Sequence, residues 1–402
     1  LRRDDKRPPE WVLLRDIVLS EKTTPDLRRQ IIERLSSQGL QISREQENLI
    51  DNNVGRVRKH FVEDEIINYY LIDSLEGEIK DYEEITEIFI RVNSGGTKLG
   101  KSDLMFSLMK VGWAEAEQEF EELLKNINLN GAFYFDKDFL LKTALTVIGA
   151  GAEYRVQKFR GEKGKQNLEL IKMKWNELNS AIRWTVDFIK QKTCIGADPA
   201  LPSYNALIPI IYYAYKKHSK IDSSENNKIF VWLYSALLNQ VFTGHADTII
   251  NNCVDAVGQA NATFPVEALN RKAKEQGRIV EIGERVLDSN IHLVLNTIYL
   301  KQGGIDFNPL YEGNLPQIDH IHSRSKMKAW KEFTSKVNDI GNLRFVSRDE
   351  NLMKSDKDIT KYFESEGKLL DIDIHCIPED KELWKIENYP KFLEERRRLM
   401  LE

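Results

Sequence analysis

Between Gln317 and Asn351 the chain carries an ordered set of polar groups that few local folds can use. It reads Gln317-Ile-Asp-His-Ile-His322, then Asn338-Asp-Ile-Gly-Asn-Leu-Arg-Phe-Val346, then Asn351. The first run predicts a strand ending in the acid–imidazole pair Asp319-His320, and the second predicts a turn and another apolar strand. A short polar helix is expected to open near Asn351. Folded in that order, Asp319, His320 and Asn351 converge on one hydrated cation and leave the imidazole free to work on water. Neutral imidazole suits proton abstraction near neutral pH. A carboxylate and an amide carbonyl are hard oxygen ligands of the kind Mg²⁺ takes, with water and substrate phosphate completing its shell. Such a set suits phosphodiester hydrolysis.

The arrangement resembles the HNH, or ββα-metal, nuclease motif. That resemblance implies a general base at His320 and metal ligands at Asp319 and Asn351 for one Mg²⁺ or Mn²⁺ ion. It also implies that Asn342 holds the loop that presents His320. Gly341-Asn342-Leu343 fits the pattern, because a glycine takes tight turns closed to other residues. Singly, each residue also reads as a core histidine, a turn residue or a cap; the set in order argues for the site. His322 and His375 are set aside as bystanders. A site of this kind cuts one strand at a time, so a double-strand break needs two copies, and either a homodimer or successive nicking is expected.

With 402 residues the chain is long enough for two or three domains. No apolar run reaches bilayer length and no charged-then-apolar leader opens the chain, so the expectation is a cytoplasmic protein with no membrane partner. Cys194, Cys253 and Cys376 are scattered and odd in number, which argues against a disulfide framework and excludes a Cys₄ zinc ribbon. The net charge of −5 is not that of a protein that coats nucleic acid. Local fields decide phosphate contact, however. Arg324, Lys326, Lys328, Lys331 and Lys336 follow the Asp-His pair with only Glu332 against them. This cluster reads either as a phosphate-facing rim or as a solvated face. Arg344 and Lys354, near the second strand, join Arg324, Lys326 and Lys328 as candidate DNA contacts.

Taken in order, Thr24-Pro25 and Ser43 with Gln46 mark helix starts, and Ile66–Ile72 reads as a strand. Phe89-Ile-Arg-Val-Asn-Ser-Gly-Gly-Thr, then Leu99 and Asp103-Leu104, resemble the amino-terminal signature of the GmrSD family of modification-dependent (type IV) restriction endonucleases. That family joins a ParB/sulfiredoxin-like domain, which binds nucleoside triphosphate, to a carboxy-terminal HNH domain. The resemblance implies a defence nuclease acting on foreign DNA, in particular modified phage DNA. It makes Arg91, Asn93 and Lys98 candidates for shaping a nucleotide pocket. The family's opening Asp-Gly-Gln-Gln-Arg-type motif is missing, so this chain is expected either to begin downstream of it or to lack it altogether, with NTP reserved for a full-length form.

From Trp113 to Leu300 the pattern is helical, and its aromatic residues read as core packing rather than base-stacking surfaces. Gly161–Lys165 reads as a polar break before a helix from Asn167 to Lys192, and Gly303-Gly304 as a hinge. Arg396–Arg398 reads as a solvated helix end. The expected fold is mainly α, in three parts. Residues 1–112 are the remnant of the ParB/sulfiredoxin-like α/β domain, 113–302 a helical domain, and 303–402 the ββα-metal HNH domain. A nucleotide- or DNA-sensing module with an inactive HNH unit is the alternative, and an RNA-directed nuclease would share the chemistry.

Overall fold

Where apolar residues recur at a 3.6-residue period the chain turns helical, and hydroxyl or carboxylate caps open four of the helices, at Thr23, Ser43, Asp136 and Ser347. The computed structural model describes residues 11–64, 101–153, 155–244, 246–260, 263–302, 316–365 and 372–402. It is mainly helical with one small two-stranded sheet. The chain divides into two compact units, Leu1–Asp81 and Tyr82–Glu402.

In the first unit, α1 (Leu14–Val18), α2 (Thr24–Ser37) and α3 (Arg44–Arg58) enclose Ile17, Leu27, Ile31, Leu35 and Val54. The hydroxyl that caps α2 belongs to Thr23, one residue before the expected Thr24, and accepts from the Asp26 N–H. Ser43 and Gln46 close a reciprocal capping box on α3. The described part of this unit is helical. The strand expected at Ile66–Ile72 and the signature run Phe89–Thr97 lie outside the described residues, as do Arg91, Asn93 and Lys98.

The second unit begins its described part with α4 (Lys101–Gly112), α5 (Ala116–Ile127) and α6 (Lys137–Val147). Next comes α7 (Gly161–Lys192), with α8 (Ile208–Lys216), α9 (Ser223–Leu238), α10 (Ala246–Gln259), α11 (Val266–Glu275) and α12 (Ile291–Gln302) following. The expected polar break at Gly161–Lys165 is instead the first turn of α7. It lies so close to the preceding turn that a Cβ on Gly164 would meet the Phe159 carbonyl carbon at 2.2 Å. Glycine is needed there for approach. The aromatic residues of the middle are core: Trp175 stacks on Phe120 at 4.3 Å and meets Trp113 edge-on at 5.5 Å. Burying each such ring contributes about 1.5–3 kcal/mol.

The sheet follows: β1 (Gln317–His320), a basic excursion containing α13 (Arg324–Met327), then β2 (Leu343–Val346). Helices α14 (Arg348–Lys354), α15 (Ile359–Ser365) and α16 (Tyr389–Leu401) complete the chain. The boundaries expected at 112/113 and 302/303 do not separate compact units. Met105, Phe106 and Met109 of α4 share one apolar core with the helical middle, and so do Ile340 and Phe345 beside and within β2. Tyr299 of α12 accepts the Phe345 N–H at 3.1 Å and bonds His375 Nδ1 at 2.6 Å. The Gly303-Gly304 segment lies outside the described residues, but helix and strand on either side of it are packed together. Among the described residues no helix is long and apolar enough to cross a membrane.

Candidate active site

β1 and β2 pair antiparallel, setting Asp319 opposite Arg344 and His320 opposite Leu343. Side chains alternate across a strand, so the neighbouring acid and imidazole face different surroundings. Asp319 is 5% exposed and turns inward, whereas His320 is half-buried at the strand end.

Asp319 is held by two cations. Arg344 Nε donates to its Oδ2 at 2.9 Å and Lys354 Nζ to its Oδ1 at 2.8 Å. The Arg344 guanidinium lies over the rings of Tyr362 and Phe363, at 5.0 and 5.3 Å, with Glu350 at 3.4 Å. Two acids thus balance two bases in a buried cluster. Burial drives the Lys354 ammonium below its ordinary range, and the Asp319 charge opposes that shift. Arg344 and Lys354, expected at a DNA surface, are 0% and 1% exposed. Neither can reach a phosphate from there. They belong to the interior because a carboxylate buried on β1 requires charge beside it.

The His320 ring is oriented by a residue to which the sequence reading assigns no role. Its Nε2 lies 2.9 Å from Asn338 Oδ1. An amide oxygen only accepts, so this contact assigns a proton to Nε2 and, in the neutral tautomer, leaves the lone pair on Nδ1. Asn338 heads the second polar run of the motif. Asking what the second imidazole nitrogen bonds to would have singled it out.

Asn342 is fully buried and uses both ends of its amide. Its Oδ1 accepts from the His322 N–H at 2.8 Å, and its Nδ2 donates to the His322 and Val337 carbonyls at 3.2 and 2.9 Å. The segment that leaves His320 is thereby tied to the start of the turn. Gly341 beside it does not have the left-handed backbone expected of it. A Cβ there would lie 3.1 Å from the Leu393 carbonyl oxygen, so glycine serves the close approach of α16. That helix also corrects the reading of its basic run. Arg396 is fully buried and donates to the carbonyls of Ile340 and His375. Arg397 bridges Asp288 and Asp339, and it holds the Asp288 carboxyl below the usual range. Asp339 in turn accepts from the Gly341 N–H at 2.8 Å. Of the three arginines, Arg398 alone is mostly exposed. His322 is buried edge-on against Tyr389 and Phe392, and burial pushes its imidazole down to about 4.

Asn351 lies within α14, which opens at Arg348 behind a Ser347 cap. Its Nδ2 donates to Gln317 Oε1 at 2.7 Å across the start of β1. In this arrangement Asp319 and Asn351 do not fit a divalent ion. Both carboxylate oxygens are taken by charged donors, and a further double charge beside two buried cations has no compensating anion. Among the described residues no cluster of three His, Cys, Asp or Glu side chains has metal-holding geometry.

The basic excursion is laid out differently. Met327 and Val337 are buried against Tyr389 and Phe392 and anchor it. Arg324, Lys326, Lys328, Lys331 and Lys336 are all exposed, and among the described residues none of them has an ion-pair partner. Arg324 follows His320 by four residues and Lys336 precedes Asn338 by two, so the cations flank both members of the imidazole–amide pair.

In comparison with known proteins, the chain matches no protein-family model and no curated relative.

Proposed function

We propose that the strand–strand–helix unit is an HNH-type site that hydrolyses phosphodiester bonds of DNA, with His320 as general base. The observation that carries this reading is the presentation of His320. The ring stands half-open at a strand end, one nitrogen committed to Asn338 and the other without a partner among the described residues, between exposed cations suited to a phosphate backbone. Nδ1 takes a proton from water as that water attacks phosphorus, the bond to the 3′-oxygen breaks, and the leaving oxygen takes a proton from solvent water. Asn338 and Asn342 act by positioning, one on the ring and the other on the segment behind it. Arg324, Lys326 and Lys328 hold the backbone. No step is assigned to an ion at Asp319, because Lys354 and Arg344 occupy its oxygens.

The motif resemblance extends the proposal to a GmrSD-like defence endonuclease, with foreign and in particular modified phage DNA as its target. A ParB/sulfiredoxin-like, NTP-linked front domain and a homodimer belong to the same proposal. The second reading, a sensing module with an inactive HNH unit, is favoured by one observation: the acid expected to bind metal is clamped in internal ion pairs.

Plasmid nicking separates the two. The full chain is assayed with Mg²⁺, with Mn²⁺ and with chelator, on modified and unmodified DNA and with RNA as competitor. On the first reading, His320→Ala lowers the nicking rate about 10²–10⁴-fold and leaves the melting temperature unchanged. Equal rates for wild type and His320→Ala would remove the imidazole from the chemistry and leave the sensing module. Sedimentation on DNA tests the dimer, which a strict monomer making one-step double-strand breaks would exclude.

A further inference from the structure

His320 and Asn338, 2.9 Å apart, close the base of the basic excursion, and Trp330 lies near its middle. The indole is half-buried, and its backbone is held on both sides. The Trp330 N–H donates to the Met327 carbonyl at 3.0 Å, and the Phe333 N–H donates to the Trp330 carbonyl at 2.9 Å. Phe333 lies almost parallel to the indole, with centroids 5.9 Å apart and 11° between the planes. It meets in turn the buried ring of Tyr389 at 5.6 Å, whose hydroxyl donates to the Lys336 carbonyl. A run of rings thus leads out from the core and ends at Trp330. Among the described residues no second ring lies on the indole, and its N–H has no acceptor yet keeps contact with solvent. A single half-open ring is ordinary on a protein surface. The company of this one is not: exposed Lys328 and Lys331 flank it in sequence, both without an ion-pair partner among the described residues.

We propose that Trp330 is a stacking platform for an unpaired base and that the excursion takes single-stranded DNA. Phosphates lie against the cations while one base rests on the open face of the indole, the combination that holds a single strand irrespective of its sequence. A duplex offers the same phosphates but keeps the faces of its bases stacked on one another, so the ring gains nothing from it. Because Trp330 is already fixed by its neighbours, little ordering is needed on binding. The inference rests on the phosphate-facing reading of the excursion given above and narrows its substrate; Trp330 touches the strand and not the reacting atoms.

Binding of the full chain is read by fluorescence anisotropy in chelator, so that no strand is cut. The labelled probes are a mixed-sequence DNA single strand, the same strand with abasic sites in place of its bases, and the duplex. Wild type is expected to bind the intact strand about ten-fold or more tighter than the abasic one, which keeps every phosphate. Trp330→Ala should lose about ten-fold on the intact strand and change little on the other two. It should also keep the wild-type salt slope, since stacking releases no counterions. Trp330→Phe should restore most of that loss. Trp330→Leu, which still covers Phe333, repeats the comparison if the alanine variant does not fold. Equal wild-type affinity for intact and abasic strands, a Trp330→Ala loss shared by the duplex, or no binding to any probe would each overturn the proposal. Nicking that survives such a result leaves the nuclease reading standing alone, whereas Trp330-dependent binding without nicking refutes that reading and keeps this one.

Discussion

The helical middle and the strand–strand–helix unit meet in one core, yet they are held together by opposite means. Around Trp113, Phe120 and Trp175 the contacts are apolar faces, with the Trp175 indole N–H donating to Glu119. Around β1 the buried groups are Asp319, Arg344, Lys354, Asn342, Arg396 and His322, each with few geometries open to it. Area tolerates small shifts, whereas buried charge and amide pairs do not. A scaffold that must fix one imidazole gains from the second kind of packing. The contrast teaches that ionic burial here specifies geometry more than it adds stability.

The largest expected effect tests that distinction directly. Asp319→Ala leaves Lys354 buried without its anion and Arg344 with Glu350 alone, and should cost about 3–5 kcal/mol of unfolding free energy. Phe120→Ala, which removes a stacked ring from the middle, should cost a similar amount, about 3–5 kcal/mol. The double change Asp319→Leu with Lys354→Met should recover much of the first loss, since apolar groups replace a buried ion pair with little penalty. Denaturant melts of the four chains decide it. If the double variant is as unstable as Asp319→Ala, the ion pair is itself stabilising and the contrast between the two regions fails.

The same contrast separates what can be read from the sequence from what cannot. The helical middle is legible because apolar period maps onto element type, and the burial of its tryptophans follows from the runs around them. The strand pair and Asn342 are legible as an ordered motif. The partners of Asp319 are not. Arg344 sits opposite it across two strands, and Lys354 reaches it from a helix 35 residues on. Without the register, both lysine and arginine look like surface charge. Arg396 is hidden for the same reason: a triple-arginine run signals solvent unless its helix is known to press one face against a loop.

Histidine burial supplies a second, smaller test. His322 has its imidazole pushed down to about 4, first by burial, with Asp358 pulling up and Lys354 pushing down. In the unfolded chain it titrates near its ordinary value of 6.5. Between these values the unfolded state binds the extra proton, so stability is retained above about 6.5 and lost as pH falls toward 4. The full difference is on the order of 3 kcal/mol. His322→Leu keeps the backbone that Asn342 grips and should flatten that acid limb. A wild-type slope left intact in the variant would assign the acid sensitivity to carboxylates instead.

Asn342→Ala should cost roughly 1–3 kcal/mol, because the His322 N–H and the Val337 carbonyl would be left buried without their partner. On the nuclease reading, nicking should fall further than stability does, since the segment behind His320 is released. Activity and melting temperature measured together show whether Asn342 serves the ring or the fold alone.

The smallest expected change in stability belongs to the basic excursion, where charge is neither buried nor paired. Replacing Arg324, Lys326 and Lys328 together by glutamine should move unfolding free energy by no more than about 0.5 kcal/mol per site. If these cations face phosphate, DNA affinity should drop. The slope of log affinity against log salt should then become shallower by roughly one for each phosphate no longer neutralised. The buried pair predicts the reverse: Lys354→Met alters stability and should leave the salt slope unchanged. Shallowing of the slope by Lys354→Met but not by the rim variant would place the phosphate beneath the strand. The inside–outside division of these cations would then be wrong.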